Sequence, residues 1–455
     1  MNYMKKALFD KSLLTLNDSS GRLNIFSLAV PLFFQQVFTI LLGTVNTVAL
    51  TKVSEDAVTA VNVASMLIDV PVTLTNMITS GTLVILSLTL GAGKKDDVGK
   101  IYVTSIISMA VFSFFLSAVL LFAAPYLLSA MNLDGNILAC GVLYFRIRIL
   151  FLFFTAATNC LTAVLRAHGY AKETMISGIL TNAVNAAGSI FVVGRYYTAN
   201  KIAGVAAAAV LGQLAGLIYA FISLKRHTEI NQKGRFTPRL FKKIVTVGIP
   251  GGMSLFAFSV STAISTSVIA SLGQAAVNVK VYTANISHYT YLFGYALAQS
   301  CALMIGRHVG GGKYSEANRL FRQTALFVPL LNLLLATVVL IFTKPLMSIF
   351  TTDTRLIAVA HTIFLVDIAI ETARGNTHVG ENALCSVADT LFTSVVSITC
   401  CFLISALGCY VFCIKLNMGI YGFYAASFLD EGTRGILYRI RWNKSKWMLS
   451  VKNKV

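Results

Sequence analysis

Asp367, Glu371, Arg374, His378 and Glu381 recur at intervals of three or four positions. On a helix turning 100° per residue they share one face about 80° wide, which Cys385 continues and Asn382 flanks. Acids, a guanidinium and an imidazole in one row bind cations and pass protons. The segment carrying them is otherwise apolar, and a charge at the centre of a bilayer costs about 2.5 to 3.5 kcal/mol even on the mild translocon scale. Such a row must pair with itself or face a wet cavity. The alternative for the stretch from His361 to Arg374 is an interfacial helix with ordinary solvated charge.

A second row carries less charge: Asn62, Asp69, Thr73, Asn76 and Ser80 fall within about 40° of one line. Tyr291, Phe293 and Tyr295 offer aromatic faces to organic cations, or simply pack. His288 reads as a hydrogen-bonded structural residue or as a pathway residue. Ser254, Ser261 and Ser265 line one side of their segment, as substrate contacts or as helix-packing hydroxyls.

The elements that must position these rows are membrane spans. The 455 residues are 56% hydrophobic and only 12% charged, with mean hydropathy +0.74, whereas soluble domains are about a quarter charged. Spans long enough for a core of about 30 Å are expected near 25–49, 57–90, 101–123, 141–165, 174–194, 204–224, 244–272, 277–306, 323–343, 357–388, 391–414 and 417–438. The fold class expected is an all-α integral membrane protein of twelve transmembrane helices. Its parts are an N-terminal six-helix lobe (1–224), a basic cytoplasmic linker (225–243), a C-terminal six-helix lobe (244–438) and a basic cytoplasmic tail (439–455).

The net charge of +19 would suit nucleic acid, but its distribution follows topology instead. Basic clusters fall on one side: Lys5 to Arg22, Lys94 to Lys100, Arg166 with Lys172, Lys225 to Lys243, Arg307 to Arg322, and a tail from Arg434 to Lys454. The positive-inside rule makes that side, with both termini, cytoplasmic. The expected location is the cell membrane, with lipid as a partner and nucleic acid excluded.

The chain also repeats. Pro31 returns as Pro250, Ala57-Val58 as Ala276-Val277, and Gly91-Ala92-Gly93-Lys94 as Gly310-Gly311-Gly312-Lys313, all at one and the same interval, which also relates Asp69 to His288. Pro125 and Asp134 find partners in Pro345 and Asp353, and Asn159-x-Leu161-x-x-Val164 returns as Asn382-x-Leu384-x-x-Val387 with a slightly larger shift. Six spans separate equivalent points, so the two bundles are parallel repeats. A duplicated bundle suits alternating access.

Other chemistries find little footing. The eight cysteines fall mostly in apolar segments with no metal-binding spacing. The N-terminus lacks the unbroken apolar stretch of a signal peptide. Neither GAGK nor GGGK completes a phosphate-binding loop, and HExxH and GxSxG are missing, so no enzymatic activity is expected. No metal or cofactor is expected beyond a coupling proton or sodium ion.

The ordered motifs together resemble the multidrug and toxic compound extrusion (MATE) family over essentially the whole chain. They are the prolines of the first and seventh spans, the GAGK and GGGK turns, Leu165-Arg166-Ala167-His168-Gly169 after the fourth span, Gly204-Val205-Ala206-Ala207-Ala208 opening the sixth, and the basic ending from Arg434 to Trp447. The resemblance implies a V-shaped pair of six-helix lobes and antiport of small, often cationic or amphipathic compounds against proton or sodium influx. This sequence departs from the family at three acidic positions, where it has Asn46, Ser189 (four residues after Asn185) and Phe258. Asn46, Asn159, Asn185 and Ser189 would form at most a neutral oxygen-rich pocket, so coupling is expected at Glu381 or Asp69.

The substrate pathway is expected at Asp367, Glu371, Arg374, His378, Asn382, Asn76, His288 and Tyr291. The leading reading is a monomeric multidrug antiporter for xenobiotics. The alternatives are a flippase or exporter of one dedicated metabolite or lipid-linked precursor, and a non-transporting receptor or scaffold.

Overall fold

The computed structural model describes residues 15–18, 21–51, 54–131, 133–195, 201–228 and 234–454. The side chain of Asn46 and the middle of the basic linker lie outside this part. An antiparallel hairpin, β1 (Thr15–Asp18) and β2 (Gly21–Asn24), pairs Leu16 with Leu23. Asn24 then caps the first helix, its Oδ1 accepting from the Phe26 amide at 2.8 Å and its carbonyl from Ser27 Oγ at 2.8 Å.

Among the described residues, the regular structure that follows is helical. The first half holds α1 (Ile25–Thr51), α2 (Glu55–Gly91), α3 (Lys95–Ser129), α4 (Gly135–Leu150), α5 (Leu152–Ala167), α6 (Ala171–Arg195) and α7 (Lys201–His227). The second holds α8 (Pro238–Ala270), α9 (Gln274–Gly310), α10 (Tyr314–Ile341), the short α11 (Thr343–Met347), α12 (Thr354–Ser386), α13 (Thr390–Cys400), α14 (Leu407–Tyr410), α15 (Ile420–Asn443) and α16 (Trp447–Lys454). The π-helical stretches Cys401–Ala406 and Val411–Lys415 join α13 and α14 into one span.

Among the described residues nine helices are apolar and long enough to cross a membrane, and the pair α4 and α5, bent by 47°, makes a tenth. The long helices outside that test are α9 and α15. Lys280 and His288 in α9, and Asp430, Glu431 and Arg434 in α15, lower their hydropathy. With them the fold is consistent with twelve spans. Large apolar side chains stand exposed, Phe122 at 82% and Ile349 at 74% among them, as suits a surface whose solvent is hydrocarbon.

The helix limits make the repeat more regular than the residue matches do. Residues 55–91 and 274–310 are single helices, and the bent pair spanning 135–167 corresponds to the unbroken 354–386; both ends of each pair are related by the interval that relates Pro31 to Pro250. The glycine turns superpose in conformation too, with φ of 69° at Gly93 and 73° at Gly312, a region open to glycine without strain. One expectation is thereby corrected. Asn159 corresponds to His378, not to Asn382, because the helix ends carry no drift and a shift of one turn had aligned the wrong residues.

The chain divides into two compact units. One comprises Pro31–Leu86 and Lys94–Gly248, with a core around Phe145, Ile149, Leu128 and Ala64. The other comprises Ile249–Val455 with Ser87–Gly93 and the described part of Met1–Val30. Its cores gather Ile269, Val279, Ile363 and Ile370, and Met347, Ala360 and Phe364. The expected basic tail is docked in this second unit. Trp442 and Trp447 are buried and stacked at 4.8 Å, Phe321 stacks on Trp442 at 4.5 Å, and Arg441 and Ser450 both bind the Asp389 carboxylate.

Within the first unit α2 and α8 cross backbone to backbone at Gly81 and Gly248. A Cβ on Gly81 would stand 3.0 Å from the carbonyl carbon of Ile244 and 3.1 Å from the Gly248 nitrogen, and backbone cannot yield as a flexible side chain would. Gly81→Val should therefore destabilise the fold by about 1 to 3 kcal/mol. A lowered unfolding temperature of the purified protein, against an unchanged Gly43→Val control with open space around it, checks this.

Candidate functional site

In the second unit, α12 and α15 pack closely where their residues are smallest. Gly380 lies against Tyr438, and Gly435 against Asn376 and Thr377. Thr377 Oγ1 donates across the seam to the Glu431 carbonyl at 2.7 Å. This approach brings two charged rows together. Arg374 binds Glu371 on its own helix and reaches Glu431 Oε1 with Nε at 3.2 Å. Arg434 holds Asp430 with two parallel bonds, of 3.1 and 2.7 Å, and touches Glu431 at 3.2 Å. The result is an alternating chain, Glu371, Arg374, Glu431, Arg434, Asp430, almost wholly buried. Buried charges persist only when paired in this manner.

The pairing is incomplete. Asp367, Glu371, Glu381, Asp430 and Glu431 stand against Arg374 and Arg434. Among the described residues neither Asp367 nor Glu381 has an ion-pair partner; Asp367 accepts from Ser287 Oγ at 2.5 Å, and Glu381 from Ser397 Oγ at 3.5 Å. Ser397 in turn shares a 2.7 Å bond with the Tyr438 hydroxyl. Two carboxylates are thus held by hydroxyls, beside a network in which three acids share two arginines.

Helix α9 supplies an aromatic wall to this cluster. The Arg374 guanidinium lies over the Tyr291 ring at 5.0 Å, and the Tyr291 hydroxyl bonds His288 Nδ1 at 2.9 Å. Tyr295 and Tyr291 meet the His378 ring edge to face at 4.8 and 5.7 Å. The structure therefore assembles Asp367, Glu371, Arg374, His378, His288 and Tyr291 into one site, with Glu381 beside it. Asn382 donates to its own helix, at the His378 carbonyl, 2.9 Å away.

The remaining expected residues lie in the first unit. Asn159 Nδ2 donates to Asn76 Oδ1 at 2.9 Å. Under the constant shift of the repeat this pair occupies the places of His378 and Tyr295. Asp69 is exposed, with Arg148 acting on it electrostatically. These two correspond to His288 and Asp367, so the same two positions carry acid and base in opposite order in the two halves. Asn185 Oδ1 and the fully buried Ser189 Oγ, four residues apart on α6, have no partner among the described residues. Every position matching Glu371, Arg374, Glu381, Asp430, Glu431 and Arg434 is uncharged in the first half: Leu152, Thr155, Thr162, Leu211, Gly212 and Ala215.

Sequence reasoning missed Asp430, Glu431 and Tyr438, and counted Arg434 with the basic tail although it lies inside the expected span 417–438. The tail begins later because Arg434 is only 5% exposed and bound by two acids. The signal was present: an acid pair followed by an arginine one turn on, inside an expected span.

A model of the MatE family matches residues 31–191 and 250–411, two segments that start at the paired prolines of the repeat. The chain is 29% identical over 453 residues to the uncharacterized transporter YisQ of Bacillus subtilis, covering 98% of this chain and 99% of that protein. It is 23% identical over 367 residues to the probable multidrug resistance protein NorM of Thermotoga maritima, covering 78% of each. A crystal structure of MATE in the bent conformation superposes with a TM-score of 0.86 at 16% identity, over 94% of this chain and 96% of that one.

Proposed function

This chain belongs to the MatE family, a family of multi-pass membrane transporters, and from that premise we propose that it is a secondary active antiporter exporting small organic compounds, cationic or amphipathic, from the cell. Export is coupled to inward flow of protons or sodium and proceeds by alternating access of two lobes, 1–224 and 244–438, with both termini cytoplasmic and a single chain as the working unit.

The observation that carries this reading is the surplus of carboxylates on α12 and α15. Glu381 holds no ion-pair partner among the described residues, so a proton or a sodium ion completes its charge balance. Releasing that ion leaves a negative site for an organic cation, with the rings of Tyr291 and Tyr295 as apolar and cation-attracting surface. The names of the relatives, multidrug resistance proteins among them, support the substrate class.

The test is efflux of ethidium from proteoliposomes with pH and sodium gradients imposed separately. Efflux driven by one gradient and indifferent to the other is expected. Equal flux with no gradient at all would refute coupling.

A further inference from the structure

Between α3, α5 and α7 in the first unit lies an apolar groove of about 480 Å³, lined by Tyr102, Ile107, Phe153, Ala157, Ile218 and Phe221 among others. Ile107, Ile218 and Phe221 are 41 to 50% exposed, so the groove opens outward. Counted at 1.5 Å per residue, Tyr102 and Phe221 lie about 10 Å from the helix ends where α3 begins and α7 stops, and Phe153 lies about 21 Å from the same end of α5. The groove thus runs roughly 10 Å along the helices, starting just beneath one membrane face.

That face is basic. Lys225 and Arg226, both exposed, form the last turn of α7, and the Lys225 Nζ is held 4.6 Å over the ring of Phe221, a groove wall. Lys243 lies within electrostatic range of Arg239, Lys94 and the acid Asp97 at the same end, Asp97 itself being paired with Lys100 at 2.8 Å.

The duplicated half shows what such a place requires. The position of Tyr102 is taken there by Phe321, which is covered by the stacked Trp442 and Trp447 of the docked C-terminal segment. The corresponding residues of the first half are Ser223 and Thr228, which supply no aromatic cover.

We propose that this groove binds an anionic phospholipid, one acyl chain lying along α3, α5 and α7 and the phosphate on Lys225 and Arg226. The chain supplies the apolar cover that the tryptophans give the other half, and the headgroup charge matches the basic rim.

The test uses the full-length protein in nanodiscs of equal phosphatidylglycerol and phosphatidylethanolamine, released into a native mass spectrometer. One phosphatidylglycerol retained per chain is expected. Lys225→Glu should lower the retained fraction about tenfold, with Lys225→Arg retaining it. Ile218→Trp, which fills the groove from its exposed wall without disturbing the packed interior, should lower it similarly. Equal retention of phosphatidylethanolamine, retention unaffected by Ile218→Trp, or a second copy of this chain in place of lipid would each overturn the proposal.

Discussion

In proteoliposomes, Glu381→Gln is expected to reduce gradient-driven efflux to the level of protein-free vesicles while the variant remains folded and inserted. Glutamine keeps the volume of the side chain and its ability to accept from Ser397, but it cannot ionise. Glu381 forms no ion pair among the described residues, so its neutralisation strands no opposite charge and costs little stability. Function and folding are therefore separable at this position. They are not at Glu371, where the same change leaves Arg374 with one acid fewer. Asp69→Asn should have a much smaller effect, since Asp69 is exposed and lies outside the ion-paired network. Full efflux by a correctly inserted Glu381→Gln protein would remove Glu381 from the coupling site and leave the family membership untouched.

The largest structural effect is expected from Arg434→Ala. It deprives Asp430 of both of its bonds to Arg434 and leaves Glu431 to Arg374 alone, with both acids under 5% exposed. Breaking a buried pair by removing one partner costs about 3 to 5 kcal/mol, a large part of the roughly 5 to 15 kcal/mol that holds a domain together. The variant should appear mostly as aggregate on size-exclusion chromatography. Arg434→Lys should be intermediate, because an ammonium cannot make the two parallel bonds. Replacing the pair together, Asp430→Leu with Arg434→Met, should recover much of the loss. If the double variant were as unstable as Arg434→Ala, the charge left on Glu431 rather than the one on Asp430 would be the cause.

Much of this was legible in the residues. Apolar runs located the long helices, with ends off by as much as nine positions at Tyr314, since a bilayer demands an uninterrupted stretch, and α12 carries its five polar side chains on the face that periodicity assigned to them. Two things were not legible. Asp430 and Glu431 stand side by side, so they make no row along a helix, and only the packing of α15 on α12 reveals that Glu431 bridges two arginines. Asn159 and Asn382 share a local pattern, and only helix ends distinguish a true counterpart from a neighbour one turn away.

The 47° break at Phe151, absent from the matching helix α12, also bears on how the two copies have diverged. A straight helix keeps Asp367 through Glu381 on a single face; a bend in their midst, where Ile370 matches Phe151, would turn Asp367 away from the rest. The two copies have diverged, one carrying an unbroken helix with the charges, the other a bend with neutral residues at the matched positions. Their tolerance to mutation should then be unequal at matched sites. In a saturation scan under drug selection, Leu152, Thr155 and Thr162 should accept conservative replacements, while Glu371, Arg374 and Glu381, their counterparts in the second copy, should not.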